Sequence, residues 1–240
     1  TTDKLMKSHS LEPIATESEI AFVLENAQHY LSKKPERSDV LSVFAGLRPL
    51  SAPKEEGQKT KEVSRSHKII VSETGLITIT GGKWTTYRKM AEEIVDKAIV
   101  VHNLPKSICK TEHLSIHGNQ FTNDLDRENH IYVYGTDASG ILKLQENEPH
   151  LKEKLHPDYP YTLAEVVWAI RNEMALNLED VLARRIRLLF LDARASMECA
   201  EKVCDLMAKE LDHNATWKEN QLTSFTKLAN GYLLKEFRVE

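Results

Sequence analysis

The stretch GGKWTTYRK, residues 81–89, sets two glycines, a lysine and two threonines directly before a run of helical periodicity. The preceding ITIT reads as a strand, so the stretch is a strand end, a glycine turn and a helix start. Such a junction gathers backbone N–H groups and the positive end of a helix at one point. Glycine lets another molecule approach the backbone closely, and Lys83 adds a cation there. A phosphate, a carboxylate or an electron-rich ring oxygen suits that spot. The competing reading makes Thr85 or Thr86 a plain helix cap and the glycine pair a plain turn. The GxxxxGK[ST] spacing of a nucleotide P-loop is absent.

Two further cations stand next to strand signals. FAGLRPL puts Arg48 between Gly46 and Pro49, at the end of the strand predicted over VLSVFAGLR, 40–48. VSRSH puts Arg65 at the start of the hairpin that leads to the glycine pair. A guanidinium held by stiff backbone suits bidentate binding of a phosphate. Each arginine alone reads as a salt-bridge partner; three cations beside strand ends read as an anion pocket. Other tempting residues carry less. His113 and His117 are four apart, but their segment has no helical pattern, so no metal site is expected. Glu173, Asp180, Arg184 and Arg185 read as ion pairs, with a second anion site at Arg184 and Arg185 the weaker alternative.

The elements that must hold these residues differ between the two halves of the chain. Thr16 and Glu19 form a capping box before Ile20, Val23, Leu24, Ala27 and Leu31, which predicts a helix over 17–32. SAPKEEGQKTKE reads as an exposed loop, and KIIVSETGLITIT as a hairpin. A helix over 85–101 follows, with Met90, Ala91, Ile94 and Ala98 on one face. The polar, irregular stretch from about 109 to 124 reads as a connector. Beyond it, 125–238 reads as a helical bundle. Thr162 and Glu165 cap a stripe of Leu163, Val166, Val167, Ile170 and Met174. Asn177 caps LEDVLARRIRLLFLD, with Leu182, Ile186 and Leu189 inward. Ala193, Met197, Ala200, Cys204, Met207 and Leu211 make a packing seam, and Trp217, Phe225, Leu228 and Tyr232 mark the last helix. The expected class is α+β, divided into residues 1–108 and 109–240. The second part is expected to fold by itself, and the cut sheet of the first to self-associate.

Composition narrows the function classes. At 240 residues the chain holds one large domain or two modest ones. A formal charge of −4 with no basic block argues against nucleic-acid binding and against reading LEDVLARRIRLLFL as a DNA-recognition helix. The three cysteines, Cys109, Cys199 and Cys204, form no CxxC pair, and their odd number suits a reducing compartment. No run nears the roughly 18 apolar residues of a membrane span, and no signal-peptide pattern opens the chain. The opening TTDKLM, without a methionine, predicts a processed or truncated product.

AGLRPL, VSRSH, GLITITGGKWTTYRKMAEEIVDKA and EVVWAIRNEMALNLEDVLARRIRLLFLD together resemble the family of FAD-dependent glycerol-3-phosphate dehydrogenases, and the resemblance runs over nearly the whole chain. Members of that family open with a dinucleotide-binding unit marked GxGxxG. This sequence has none, so the resemblance implies a C-terminal portion. Residues 1–108 would be the remnant of an α/β domain for FAD and substrate, and 109–240 an all-α domain. By the same resemblance Arg48, Arg65 and Lys83 face sn-glycerol-3-phosphate, with Lys83 also the catalytic cation beside the flavin. Gly46, Gly81, Gly82, Lys83, Trp84 and Thr85 line the cofactor. The helix starting near Thr85 aims its N-terminus at the flavin edge that gains negative charge. The implied partners are a membrane quinone, the missing N-terminal FAD domain and a second copy in a homodimer. The implied place is the cytoplasm, peripheral to the inner face of the membrane. Without its GxGxxG unit the chain is expected to hold little or no FAD and to be inactive. Two alternatives remain: the related oxidase, which hands electrons to oxygen and carries Asp where this chain has Thr86, and a non-catalytic helical interaction module.

Overall fold

A computed structural model describes residues 2, 10–47, 66–119 and 128–238. Two compact units are present; in described residues, one holds 2, 10–46 and 117–238 and the other 47 and 66–116. The units therefore do not divide at residue 108, because 10–46 belong with the helices of the second half. The α+β class expected from the sequence holds, with helices dominating and one two-stranded sheet among the described residues.

The larger unit begins with α1, Glu17–Tyr30, where the Glu19 carboxylate accepts the Thr16 N–H at 2.9 Å. The bundle proper contains α3 (Ala138–Asn147), α4 (Leu163–Asn172), α5 (Leu188–Leu191), α6 (Ala193–Glu198), α7 (Ala200–Glu210) and α8 (Ala215–Asn230). The starts of α6 and α8 are capped by side chains, which take up orphan N–H groups. Asp192 Oδ1 accepts from the N–H groups of Arg194 and Ala195, each at 3.0 Å, and Asn214 Oδ1 accepts from Trp217 N–H at 3.0 Å. Helix α4 packs on α3 and α7, and α8 on α6 and α7. Between them Ile141, Val166, Leu178, Leu182, Leu189, Val203 and Met207 are fully buried. Each such side chain contributes about 1.5–3 kcal/mol by leaving water. Gly140 is part of this fit, since a Cβ there would lie 2.3 Å from Cζ3 of Trp168.

The predicted seam over Ala193–Leu211 is observed: Ala193, Ala200, Cys204 and Met207 are buried, and Met197 and Leu211 pack against the core. Asn177 caps as expected, accepting the Asp180 N–H at 2.8 Å. The stretch from Asp180 to Leu191 is not one helix. Asp180–Arg185 is a π-helical turn, Arg187 adopts φ 65°, and α5 starts at Leu188. Ile186, Leu188 and Leu189 are all buried. At 100° per residue a continuous helix would point Ile186 and Leu188 to nearly opposite sides, so burying all of them needs a break. Met174 was expected inward and is instead 79% exposed. It takes φ 55° just past α4, where Glu173 N–H and Ala175 N–H both bond the Ala169 carbonyl and end the helix.

The strand predicted over 40–48 does not form in its described part, 40–47. Its backbone groups find no neighbouring strand among the described residues and bond helix ends instead. Val43 N–H donates to the Tyr232 carbonyl at 2.7 Å, and Ala193 N–H donates to the Leu41 carbonyl at 3.1 Å.

The smaller unit is a hairpin and a helix. Strands β1 (Lys68–Val71) and β2 (Ile77–Thr80) pair antiparallel, Lys68 opposite Thr80 and Val71 opposite Ile77. The turn between them is closed by Gly75 N–H donating to the Ser72 carbonyl at 3.0 Å, with Gly75 at φ 84°. Helix α2, Tyr87–Val101, follows a 3-10 turn at Trp84–Thr86. Ala91, expected on its inner face, is exposed.

Burial in the larger unit predicts its response to alkali. The Cys199 thiol is pushed up to about 12 from its ordinary 9.0 by burial. The Tyr134 phenol is pushed well above its ordinary 10.0, first by burial and then by the Glu165 charge. Both groups keep their protons in the folded state where the unfolded chain loses them. Their stabilisation is therefore complete below about pH 9 and is lost as the pH rises through 9 and 10. We expect a flat melting temperature from pH 6 to 8 and a decline above pH 9, with up to about 1.4 kcal/mol lost per pH unit and group. Tyr134→Phe should remove part of the slope above pH 10. A melting temperature that stays constant to pH 11 would contradict this burial.

Candidate functional site

The expected site residues fall into three groups. Gly81, Gly82, Lys83, Trp84 and Thr85 lie together in the smaller unit, where β2 gives way to α2. Gly46 lies in the larger unit, at the end of the extended stretch that contacts the helix ends; a Cβ there would meet nothing within 4 Å. Arg48 and Arg65 lie outside the described residues.

The glycine pair has a conformational cause. Gly81 takes φ 74° and Gly82 φ 97°, two successive values that L side chains rarely adopt. Gly82 also has no room for a side chain: a Cβ would lie 2.6 Å from both Sδ and Cε of Met90, and 3.2 Å from His67 Cβ. Met90 sits one turn into α2, so the missing Cβ is what lets the helix fold back onto the turn. His67, just before β1, bonds Glu93 of the same helix, Nε2 to Oε2, at 2.7 Å. Hairpin, glycine turn and helix are thus one interlocked piece.

The threonines do not cap α2. Thr86 stands at the N-cap position without a side-chain cap, and its hydroxyl donates back to the Lys83 carbonyl at 2.9 Å. The Thr86 and Tyr87 N–H groups close the 3-10 turn on the Lys83 and Trp84 carbonyls. The N–H groups of Trp84 and Thr85 have no backbone partner among the described residues. The α-helix itself begins at Tyr87, two residues later than expected. The junction still offers an anion two backbone donors and a helix start.

Lys83 is exposed and makes no ion pair among the described residues. The neighbouring cations differ: Arg88 Nη1 holds Glu92 at 2.9 Å and Lys89 reaches Glu92 at 3.3 Å. That hydrogen bond, followed by the nearby charge, raises the Arg88 pKa and lowers that of Glu92. Among the described residues, Lys83 is therefore the cation at this turn that has no ion pair.

The sequence reading missed Tyr87. Trp84 is 87% exposed, and its ring stacks on that of Tyr87, centroids 5.6 Å apart at 27°. The signal was the spacing of three residues across a helix start, which brings two side chains together. Next to Lys83 this gives a flat, electron-rich surface beside a positive charge, which fits a planar ring bearing carbonyl oxygens. The arrangement fits FAD through its ring rather than through its pyrophosphate, whose GxGxxG cradle this sequence lacks.

The remaining charged candidates are engaged within the larger unit. Arg184 pairs with Glu179 and, at 2.7 Å, with Asp180. Arg185 reaches the Glu173 carboxylate at 3.7 Å and donates to the Glu173 carbonyl. The ion pairs expected of these residues are present, with Arg184 serving its own turn. His113 is exposed on a 3-10 turn, and His117 pairs with Asp137.

Comparison with known proteins gives the family of the chain. The family model described as the C-terminal domain of alpha-glycerophosphate oxidase matches residues 72–221, more than half of the chain. Mitochondrial glycerol-3-phosphate dehydrogenase of Mesocricetus auratus is 37% identical over 247 residues, covering 95% of this chain and 34% of the relative. The human protein of the same name is 35% identical over 236 residues, covering 90% of this chain and 32% of the relative. The chain thus spans about a third of the length of these relatives. The X-ray structure of the glycerol-3-phosphate dehydrogenase from Bacillus halodurans complexed with FAD shares the fold. Its TM-score is 0.75 at 23% identity, over all of this chain and 50% of that one. With its hairpin, glycine turn and helical unit all in place, the chain belongs to the family of the C-terminal domain of alpha-glycerophosphate oxidase.

Proposed function

We propose that this chain forms part of a flavoprotein that oxidises sn-glycerol-3-phosphate to dihydroxyacetone phosphate and delivers the electrons to a quinone. The observation that carries the proposal is the exposed Lys83 on the interlocked strand–glycine–helix junction, in a chain of this family. FAD, when bound, supplies the acceptor for the hydride that leaves C2 of the substrate. Gly81, Gly82, Trp84 and Thr85 would hold the ring edge. Lys83 and the start of α2 set positive potential where negative charge grows, which lowers the barrier without reorganisation. Arg48 and Arg65 neutralise the substrate phosphate. The base that takes the C2 hydroxyl proton belongs to the remainder of the enzyme.

Delivery to a quinone implies an enzyme peripheral to the inner face of a membrane. No helix among the described residues is long and apolar enough to cross one. The test uses the full-length enzyme. Glycerol-3-phosphate should reduce a quinone analogue with little peroxide formed, and Lys83→Ala should slow flavin reduction at saturating substrate. Peroxide formed in step with dihydroxyacetone phosphate would give the enzyme to the oxidase class. A full-length protein without flavin would favour an interaction module. The 240-residue chain by itself should purify colourless and without turnover; a flavin band near one per chain would overturn that expectation.

A further inference from the structure

We propose that Glu93 is a positioning residue for the flavin site: through His67 it fixes the direction of α2 over the glycine turn, and with it the place of Lys83. This role rests on the reading of the glycine turn as the place of the flavin ring edge. Two glycines in succession make a permissive backbone hinge. Gly81 and Gly82 do not by themselves enforce φ 74° and 97°, so contacts beyond the turn must hold them there. Two such contacts are present within the smaller unit. The Met90 side chain and His67 Cβ close on the position that a Gly82 Cβ would take. His67 Nε2 then bonds Glu93 Oε2 at 2.7 Å, which joins the residue before β1 to the second turn of α2.

The turn follows the helix. The Thr86 N–H and hydroxyl both donate to the Lys83 carbonyl, at 3.0 and 2.9 Å, so the Lys83 backbone moves with the start of α2. The Met90 thioether is flexible and fills the gap it meets, whereas a hydrogen bond has a set length and direction. A helix start stabilises growing negative charge only where its N–H groups already point at it. Glu93 therefore acts away from the reacting atoms, by holding donors and cation in place. The side chains of His67 and Glu93 are 22% and 40% exposed, so alanine at either position opens no sealed core. Alanine at 67 also keeps the Cβ that lies against Gly82.

The experiment compares Glu93→Ala, His67→Ala, the double variant and Glu93→Gln in the full-length enzyme, with Lys83→Ala beside them. Rapid mixing with saturating glycerol-3-phosphate should show flavin reduction about three- to tenfold slower per bound flavin in each alanine variant, with substrate Kd nearly unchanged. The double variant should be no slower than either single one, because both remove the same bond. Glu93→Gln should return the rate to within about twofold of the parent, since an amide gives His67 Nε2 a partner whichever proton the ring carries. In the 240-residue chain by itself, amide exchange over 84–90 should quicken in Glu93→Ala and not in Glu93→Gln. An unchanged rate per flavin would overturn the positioning role; a purely structural role lowers flavin content and melting temperature and leaves that rate alone. Unchanged exchange, or losses that add in the double variant, would overturn it too. Slow reduction in Lys83→Ala beside normal reduction in Glu93→Ala would remove the positioning role and leave the flavin reading standing. Normal reduction in Lys83→Ala would overturn the flavin reading, and the role of Glu93 with it.

Discussion

Arg48→Ala in the full-length enzyme is expected to weaken the use of glycerol-3-phosphate about 10- to 150-fold while leaving plain glycerol nearly untouched. The range comes from losing a charge-assisted, two-pronged contact to a phosphate, worth about 1.5–3 kcal/mol when the partner stays buried. Arg48→Lys should recover part of this, because an ammonium carries the charge but not the planar fork. Lys83→Ala should differ in kind. It sits at the glycine turn beside the ring site, so flavin reduction should slow as well as binding weaken. A structural role for Arg48 predicts a lower melting temperature with unchanged preference between the two substrates. Steady-state kinetics on both, with a melting curve, separates these outcomes.

Glu165→Ala should cost the larger unit about 3 kcal/mol. The Glu165 side chain is fully buried, and each oxygen has partners. Oε2 accepts from the Thr162 N–H at 2.7 Å and bonds His130 Nε2 at 3.0 Å; Oε1 accepts from the Tyr134 hydroxyl at 3.1 Å. Truncation removes the cap of α4, worth about 1 kcal/mol, and strands buried donors at about 1–3 kcal/mol each. For a unit of this size that lowers the melting temperature by on the order of 10 °C. Glu165→Gln keeps the shape but brings an NH2 against two donors, so its loss should fall between Ala and the parent. Glu148→Ala, which removes a half-buried partner of Arg171 at 3.8 Å, is the control and should change stability by less than about 0.5 kcal/mol. A Glu165→Ala melting curve within about 2 °C of the parent would sink this account of the buried carboxylate.

Glu165 also marks how far the sequence could be read. Its place three residues after Thr162 announces a capping box and a helix start, and both are present. Nothing in that spacing says that the carboxylate is buried, or that it gathers His130 and Tyr134 from more than thirty residues before. Gly82 behaves alike. The pattern GGK after a strand predicts a turn, but Met90 and His67 supply the reason a side chain cannot stand there. Arg184 and Arg185 were legible as ion-pair formers, and the choice of Glu179, Asp180 and Glu173 was not.

By itself the sequence determined what depends on near neighbours along the chain. The hairpin over 68–80, the boxes at Thr16 and Thr162, the cap at Asn177 and the seam from Ala193 to Leu211 all rest on spacings of two to four residues, which fix local geometry before any packing. The run of motifs from AGLRPL to DVLARR was enough to point to the family. Tertiary structure alone decided where local preference met competition for burial and for hydrogen bonds. Ile186, Leu188 and Leu189 all reach the core because the chain breaks at Arg187, in a left-handed conformation that their shared burial helps to offset. Residues 40–44 have the pattern of a strand and no strand beside them among the described residues, so their polar groups went to the ends of α5 and α6 and to Tyr232, two residues past α8. A strand is a property of two segments, and one segment's residues cannot specify it.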